Sequence, residues 1–263
     1  MTRLPQRDTR QAVPVDVENI HVSFGQQTVV DDLSFHVEAG ETFVIMGPSG
    51  AGKSVLLRNI IGLHRPERGR VLIGGDDARD PATHRKHVTA LVFQAGALFN
   101  SMTVYDNLAL YPREHRLFTA AELDTKVRRT LDILALSGAA SKMPAELSGG
   151  MRKRVAIARG LMMEPQLLLY DEPTSELDPI TAANITEVIG TLREEFHVTS
   201  IVVSHDTRLA LSIAQRVALM IDGRFVAVDE PERLRNSDDP VVQDFLNPTI
   251  NIQQPRFRTK DSL

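Results

Sequence analysis

The chain has 263 residues, of which 42% are hydrophobic, and this size suits one large domain or two small ones. It has no cysteine, which excludes disulfides and thiolate metal sites, and its net charge of −4 gives no basic signature for nucleic acid. No apolar run approaches the roughly 18–20 residues that cross a bilayer. The polar residues 1–16 are expected to form a flexible arm and not a signal peptide.

Two stretches after this arm predict a small antiparallel sheet. Residues 20–24 and 33–37 alternate apolar and polar side chains, which is the period of half-buried strands. The turn between them is expected near residues 25–27. Phe24, at the end of the first stretch, is compatible with a place in the core of this sheet.

The next strand leads into a glycine-rich loop. Residues 42–46 are apolar or β-branched and indicate a buried strand, and residues 55–63 carry apolar groups at helical spacing. Between them the pattern G-x-x-x-x-G-K-[ST] is complete, as Gly47, Pro48, Ser49, Gly50, Ala51, Gly52, Lys53 and Ser54. This strand-loop-helix context favours a phosphate-binding loop over a chance glycine turn.

The chemistry of this loop follows from its residue types. Glycines let backbone N–H groups close around phosphate oxygens, and the helix start adds the positive end of its dipole. Lys53 is predicted to reach the β- and γ-phosphates of a bound nucleotide, and the Ser54 hydroxyl to ligate Mg²⁺. Val55 offers only its backbone N–H to phosphate.

The middle of the chain, about residues 95–154, changes from strand signals to helix signals. Thr119 and Glu122 form a capping box, and leucine and valine residues follow at helical spacing. Ser148 is predicted to cap the next helix. Residues 152–154, Arg-Lys-Arg, are interpreted as a solvated stretch of that helix. The segment therefore resembles a helical insertion in an α/β chain.

The second half returns to alternating strands and helices. Residues 167–172 are an apolar run that ends in Asp171 and Glu172, as expected of a strand that delivers acids to the carboxyl edge of a sheet, where open α/β folds bind ligands. Residues 200–203 form the next predicted strand, which delivers His205. Asp222 and Gly223 predict a two-residue hairpin. Residues 247–263 are expected to form a polar tail.

Taken together along residues 17–246, these motifs resemble those of the ATP-binding-cassette (ABC) ATPases. The matching elements are the P-loop, Gln94 after a strand (Q-loop), residues 147–150 (Leu-Ser-Gly-Gly, signature), residues 167–172 (Walker B), residues 175–178 (D-loop) and His205 (H-loop). The resemblance implies a P-loop NTPase α/β fold with a mainly parallel sheet, an N-terminal antiparallel β subdomain and an inserted helical subdomain. The core would span residues 17–94 and 155–246.

The resemblance also implies roles for individual residues. Asp171, Ser54 and Gln94 would hold Mg²⁺, and Glu172 would polarise the attacking water. His205 would contact the γ-phosphate. Ser148, Gly149 and Gly150 would close over the ATP of a second copy of the chain, so the active form would be a dimer. Phe24 matches the aromatic residue that stacks on adenine, and the core position remains its alternative.

Three positions depart from the commonest family pattern. Met151 stands where glutamine is usual after the signature, Val55 replaces a hydroxyl residue after Ser54, and Glu176 replaces a small residue in the D-loop. None of them removes a residue that hydrolysis requires.

A finer resemblance covers residues 93–99, 102–107, 113–115, 143–151 and 178–181, which are similar to the ATPases of MCE-associated, Mla-type phospholipid transporters of bacteria. Those ATPases also carry methionine at the position of Met151. The resemblance implies an MlaE-like permease, an MCE-domain protein and a small STAS-domain subunit as partners, at the cytoplasmic face of the inner membrane. Ala97, Leu98 and Phe99 are then partner contacts, with ordinary core positions as the alternative.

Three functions are compared on this basis. The first is an ATPase subunit that drives phospholipid transport between the inner and outer membranes. The second is the ATPase of an importer for a small polar solute. The third, a soluble ABC protein acting on DNA or the ribosome, is disfavoured because such proteins usually have tandem cassettes or a long coiled-coil insertion.

Overall fold

The structure is a computed structural model that describes residues 11–248. Its strands are β1 (Val15–Phe24), β2 (Gln27–Val37), β3 (Thr42–Met46), β4 (Arg68–Ile73), β5 (Asp76–Asp77), β6 (Thr89–Val92), β7 (Leu167–Asp171), β8 (Thr199–Ser204), β9 (Arg216–Ile221) and β10 (Arg224–Asp229). Its α-helices are α1 (Lys53–Ile60), α2 (Pro81–Lys86), α3 (Val104–Glu114), α4 (Ala120–Ile133), α5 (Gly149–Leu161), α6 (Pro179–Phe196), α7 (Thr207–Ile213), α8 (Pro231–Arg235) and α9 (Pro240–Leu246).

The N-terminal strands form a four-stranded antiparallel sheet in the order β2-β1-β4-β5. Val15, Val17, Ile20 and Val22 are buried and their neighbours are more exposed, so one face of β1 packs on the core. The pairing of β1 and β2 shifts register after Val17. The predicted antiparallel layer is therefore confirmed.

The second sheet has six strands in the order β10-β9-β3-β8-β7-β6. Its pairs are parallel except for the hairpin of β9 and β10, whose turn is the predicted Asp222-Gly223. All residues of β3, β7 and β8 are buried, because one face of the sheet packs on helices of the larger core and the other on α1 and the antiparallel sheet. Their carboxyl ends lie side by side and position the site.

The middle of the chain is helical, as predicted. Thr119 Oγ1 accepts from the Glu122 N–H at 3.4 Å and a Glu122 oxygen accepts from the Thr119 N–H at 2.8 Å, which is the predicted capping box. Apolar residues of α3, α4 and α5 share one core. Helix α5 runs without a break through residues 154 and 155, where the sequence placed the return to the ATPase core.

Two segments differ from the sequence-based expectation. Residues 76–88 are a polar stretch in which no helix or strand was predicted, but they contain β5 and α2, and α2 begins with Asp80 as cap and Pro81 at its first position. Strand β1 begins at Val15, inside the predicted arm 1–16. Most of that arm and of the tail 247–263 lies outside the described residues. Between residues 11 and 248, no helix combines the length and apolar character that crossing a membrane requires.

Candidate active site

The glycine-rich loop joins β3 to α1 and can be built only with small residues at two points. A Cβ on Gly47 would lie 2.1 Å from the Met220 carbonyl oxygen, and one on Gly52 would lie 2.4 Å from that of Val29. Gly52 also has φ of +97°, which side chains disfavour. No side chain caps the start of α1, so its first N–H groups remain available to an anion.

Lys53 places a buried positive charge in this loop. Its side chain is 5% exposed, and Nζ donates to the Gly47 and Pro48 carbonyl oxygens at 2.8 and 2.9 Å. Nζ also lies 3.5 Å from Glu172 Oε1. The ammonium group therefore stands between the loop backbone and the carboxylate that follows β7.

Ser54 and Asp171 bring two oxygen ligands together. Ser54 Oγ donates to Asp171 Oδ1 at 2.7 Å, and Gln94 lines the same cavity as Ser54. A hydroxyl, a carboxylate and an amide oxygen are hard donors of the kind that Mg²⁺ takes together with phosphate and water. These residues therefore fit a magnesium ion that substrate oxygens help to hold.

Glu172 and His205 form a direct pair. Glu172 Oε2 lies 2.8 Å from His205 Nδ1 and accepts from the His205 backbone N–H at 3.2 Å. The Glu172 N–H donates to the Val203 carbonyl oxygen at 2.9 Å. Glu172 has φ of 48°, in the left-handed region. The strand ends of β7 and β8 thus fix a carboxylate and an imidazole in one place.

A cavity of about 320 Å³ lies over these groups. The described residues that line it are Val29, Ser49, Gly50, Gly52, Lys53, Ser54, Val55, Gln94, Glu172 and His205. The fold therefore brings the P-loop together with the predicted Q-loop, Walker B and H-loop residues. Val29, on β2, gave no signal in the sequence beyond an apolar residue in a strand.

Phe24 is not among the residues that line this cavity. Its side chain is 52% exposed at the end of β1, and its ring centroid lies 5.3 Å from that of His64. This exposure does not match the alternative in which Phe24 belongs to the core of the antiparallel sheet.

The signature residues Ser148, Gly149 and Gly150 are also absent from the described lining. Ser148 Oγ accepts from the Met151 N–H at 3.3 Å and caps α5, as predicted. A Cβ on Gly150 would lie 2.4 Å from Thr181 Cγ2, so this glycine permits close packing of α5 on α6. The signature is therefore built into the fold but does not line this chain's own P-loop cavity.

Lys153 corrects the interpretation of residues 152–154 as a solvated stretch. Arg152 is exposed and Arg154 half-buried, but Lys153 is only 8% exposed. Its Nζ donates to the Gln94 carbonyl oxygen at 2.5 Å. The expectation was wrong because the Lys153 ammonium group donates to backbone carbonyl oxygens. A pattern of apolar residues does not reveal such acceptors.

The fold and this site define a P-loop nucleotide hydrolase with a cassette-type insertion. Comparison with known families narrows this class, because the family model for ABC transporters matches residues 30–175. The chain belongs to the family of ABC transporter ATPases. It is an ATP-binding, ATP-hydrolysing subunit of a transporter, which confirms the sequence-based prediction.

Individual relatives support this assignment. The chain is 38% identical to the probable ribonucleotide transport ATP-binding protein mkl of Mycobacterium leprae, over 89% of this chain and 69% of that protein. It is 39% identical to MlaF, an intermembrane phospholipid transport ATP-binding protein of Escherichia coli, over 89% of this chain and 88% of MlaF. The dimeric post-hydrolysis structure of the cassette MJ0796 with ADP and phosphate is 29% identical, with a TM-score of 0.74 over 82% of this chain and 98% of that one.

Proposed function

We propose that two copies of this chain bind two magnesium-ATP molecules between them, and that Ser148, Gly149 and Gly150 of each copy complete the site of the other. The observation that carries this proposal is the division of the motifs. The P-loop, Gln94, Glu172 and His205 share one cavity, and the signature residues do not line it. The signature residues are therefore free to complete the P-loop cavity of a second chain.

Hydrolysis is then a matter of position and charge. Lys53 binds the β- and γ-phosphates, and Ser54 and Asp171 would hold the magnesium ion with Gln94 nearby. Magnesium, when bound, supplies positive charge that neutralises the phosphate oxygens. Glu172 orients the attacking water and accepts its proton, and His205, held by Glu172 Oε2, contacts the γ-phosphate.

Phe24 is proposed to stack on adenine. Its exposed ring at the end of β1 has an open π-face beside His64, and aromatic rings favour such contacts.

The proposed cargo is phospholipid moved between the inner and outer membranes. The identity to MlaF and its coverage of that protein support this, together with the resemblance of residues 93–99, 102–107 and 143–151 to Mla-type ATPases. An MlaE-like permease, an MCE-domain protein and a STAS-domain subunit are the proposed partners, at the cytoplasmic face of the inner membrane. The relative mkl is a probable ribonucleotide transport ATP-binding protein, so the cargo needs its own test.

The surface beside the Q-loop supports docking of a permease. Phe93 and Phe99 are 39% and 48% exposed, and Ala97 is exposed as well. Leu98 is half-buried against the core of the helical segment. Exposed aromatic rings of this kind favour a protein contact over ordinary core packing.

Mixed pairs of variant chains test the shared site. A Lys53→Ala chain paired with a Ser148→Arg chain retains one complete site if the signature acts on the other copy. A doubly substituted chain paired with wild type then retains none. With each mixed pair isolated from the pairs of identical chains, we expect ATP hydrolysis only in the first pair, and hydrolysis only in the second would show that each chain completes its own site.

The cargo is tested with the chain purified together with its membrane subunits. Lipid extracted from the complex is identified, and ATP-dependent transfer of labelled phospholipid between two vesicle populations is measured against a Glu172→Gln complex. A complex that lacks phospholipid and moves only a small polar solute would reject the lipid assignment and leave the ATPase assignment intact.

A further inference from the structure

Lys153 is a buried cation one helical turn after the signature glycines. Its side chain lies inside the protein, and its ammonium group has three N–H donors. They face the carbonyl oxygens of Gln94 and Glu172, at 2.5 and 3.4 Å, and Ser175 Oγ at 3.2 Å. Every donor of this buried group therefore has an acceptor, as burial of a charge requires.

These acceptors come from three different parts of the site. Gln94 belongs to the Q-loop, Glu172 carries the carboxylate that is proposed to accept the proton, and Ser175 is the first residue of the D-loop. Lys153 itself belongs to α5, which begins at the signature. The Lys153 side chain thus joins the signature helix to the Q-loop and to the neighbouring Walker B and D-loop residues, which follow in a distant part of the sequence.

The contact with Glu172 falls on a backbone that needs support. Glu172 lies in the left-handed region with φ of 48°, a conformation that a side chain disfavours. Its carbonyl oxygen accepts from Ser175 Oγ at 2.9 Å and from the Ser175 N–H at 3.2 Å, in addition to Lys153. These hydrogen bonds fix the backbone of Glu172 and thereby the orientation of its side chain at the end of β7.

Helix α5 also binds the Q-loop at a second place. The Arg159 guanidinium donates to the Ala97 carbonyl oxygen at 2.6 Å and to that of Gly96 at 3.5 Å. With Lys153 on Gln94, the loop is held along its length by one helix. A displacement of α5 is therefore passed to the Q-loop main chain by hydrogen bonds and not only by packing.

Electrostatics agree with this geometry. Burial lowers the pKa of Lys153, and the charges of Glu176, Glu172 and Asp171 oppose that change. These three carboxylates therefore favour the charged form of Lys153.

We propose that Lys153 is a positioning residue for hydrolysis, which sets the placement of Glu172 according to the position of the signature helix. This proposal rests on the proposed pairing of two chains. In that pairing, Lys153 links the signature, which binds the partner's ATP, to Glu172 in the site of the same chain. Lys153 is not among the described residues that line the P-loop cavity. Its loss changes the rate of hydrolysis and leaves ATP binding in place.

Lys153→Met tests this, because methionine has similar length and no N–H donor. In the complex with its membrane subunits we expect kcat to fall roughly ten- to a hundredfold, the scale of misplacing a catalytic group by about 1 Å. The dissociation constant for ATP is expected to change by less than about twofold. Arg154→Met is the control, since Arg154 lies on the same helix and donates to the Leu134 and Ala135 carbonyl oxygens, away from the site.

Ser175→Ala is a second variant with a smaller risk of misfolding. Because Ser175 and Lys153 act on the same carbonyl oxygen, their effects on kcat should not add in the double variant. In a Glu172→Gln chain, Lys153→Met should not lower the residual rate further. A wild-type kcat in Lys153→Met, additive effects with Ser175→Ala, or a parallel loss of ATP binding would overturn the proposal. A wild-type complex without ATP hydrolysis would instead reject the proposed function.

Discussion

The P-loop cavity and the signature end of α5 are built in different ways. In the cavity the functional groups already bond one another, as in the pairs Ser54–Asp171 and Glu172–His205. At the signature, Ser148 caps its own helix and Gly150 packs against Thr181. One chain therefore assembles the phosphate-binding cavity by itself, whereas the signature end of α5 is a helix start whose observed contacts serve its own fold.

This difference predicts that substitutions in the cavity change chemistry, while those at the signature glycines change stability as well. The largest effect is expected at Glu172. Glu172→Gln keeps an oxygen for His205 and removes the proton acceptor, so turnover should fall by about 10²–10⁴-fold. ATP binding should remain, because a negative charge is removed beside the phosphate site, and nucleotide-bound dimers should accumulate.

Steady-state hydrolysis and ATP titration measure these two effects, and gel filtration with ATP measures the dimer. Glu232→Gln, at an exposed position on α8, is the matched control. Unchanged hydrolysis in Glu172→Gln would refute the assignment of the proton acceptor and weaken the contrast between the two regions.

Lys53→Ala comes next in size. Charge-assisted hydrogen bonds contribute about 1.5–3 kcal/mol, so ATP affinity should fall by roughly 10- to 150-fold. Lys86→Ala removes an exposed lysine that pairs with Asp76 at 2.6 Å and serves as control. Equal ATP affinity of the Lys53→Ala and wild-type chains in a titration would contradict the role of the buried ammonium group.

The smallest effects are expected at the two signature glycines, where substitution changes the free energy of unfolding. A Cβ on Gly150 meets Thr181 Cγ2 at 2.4 Å, and Thr181 is held because its hydroxyl donates to Asp178 Oδ2 at 2.6 Å. Gly150→Ala should therefore lower the free energy of unfolding by about 1–3 kcal/mol.

Gly149→Ala is its matched partner. Its Cβ would lie 3.3 Å from Leu177 Cδ2, the mobile end of a side chain. We expect the free energy of unfolding to stay the same or rise by up to about 1 kcal/mol, from helix propensity. Denaturant unfolding of both variants decides, and equal losses would show that α5 does not pack on α6 as described.

Much of this arrangement was predictable from the sequence because it depends on local patterns. The P-loop, the capping box at Thr119 and the acids after β7 each have a short signature, and parallel strands bring their carboxyl ends to one edge. These patterns placed Lys53, Asp171, Glu172 and His205 near one another, as the structure does. The short elements β5 and α2 were missed because polar residues dominate them.

Lys153 shows the physical limit of that approach. Apolar periodicity identifies buried positions of α5 such as Val155 and Leu161, but it gives no reason to bury a lysine at position 153. Its burial depends on carbonyl oxygens of Gln94 and Glu172, which every residue type possesses. Likewise, the left-handed backbone of Glu172 has no residue-level signal, since glycine is the usual marker for it.

The left-handed backbone of Glu172 is strained for any residue with a side chain, yet the proposed reaction needs a side chain at this position. A glycine at position 172 would adopt φ of 48° without the penalty of about 1–2 kcal/mol that a side chain meets there. On the proposed role of Glu172, the chain accepts this local strain and holds a carboxylate against Lys53 and His205. Backbone strain and the placement of the proposed proton acceptor therefore fall on the same residue.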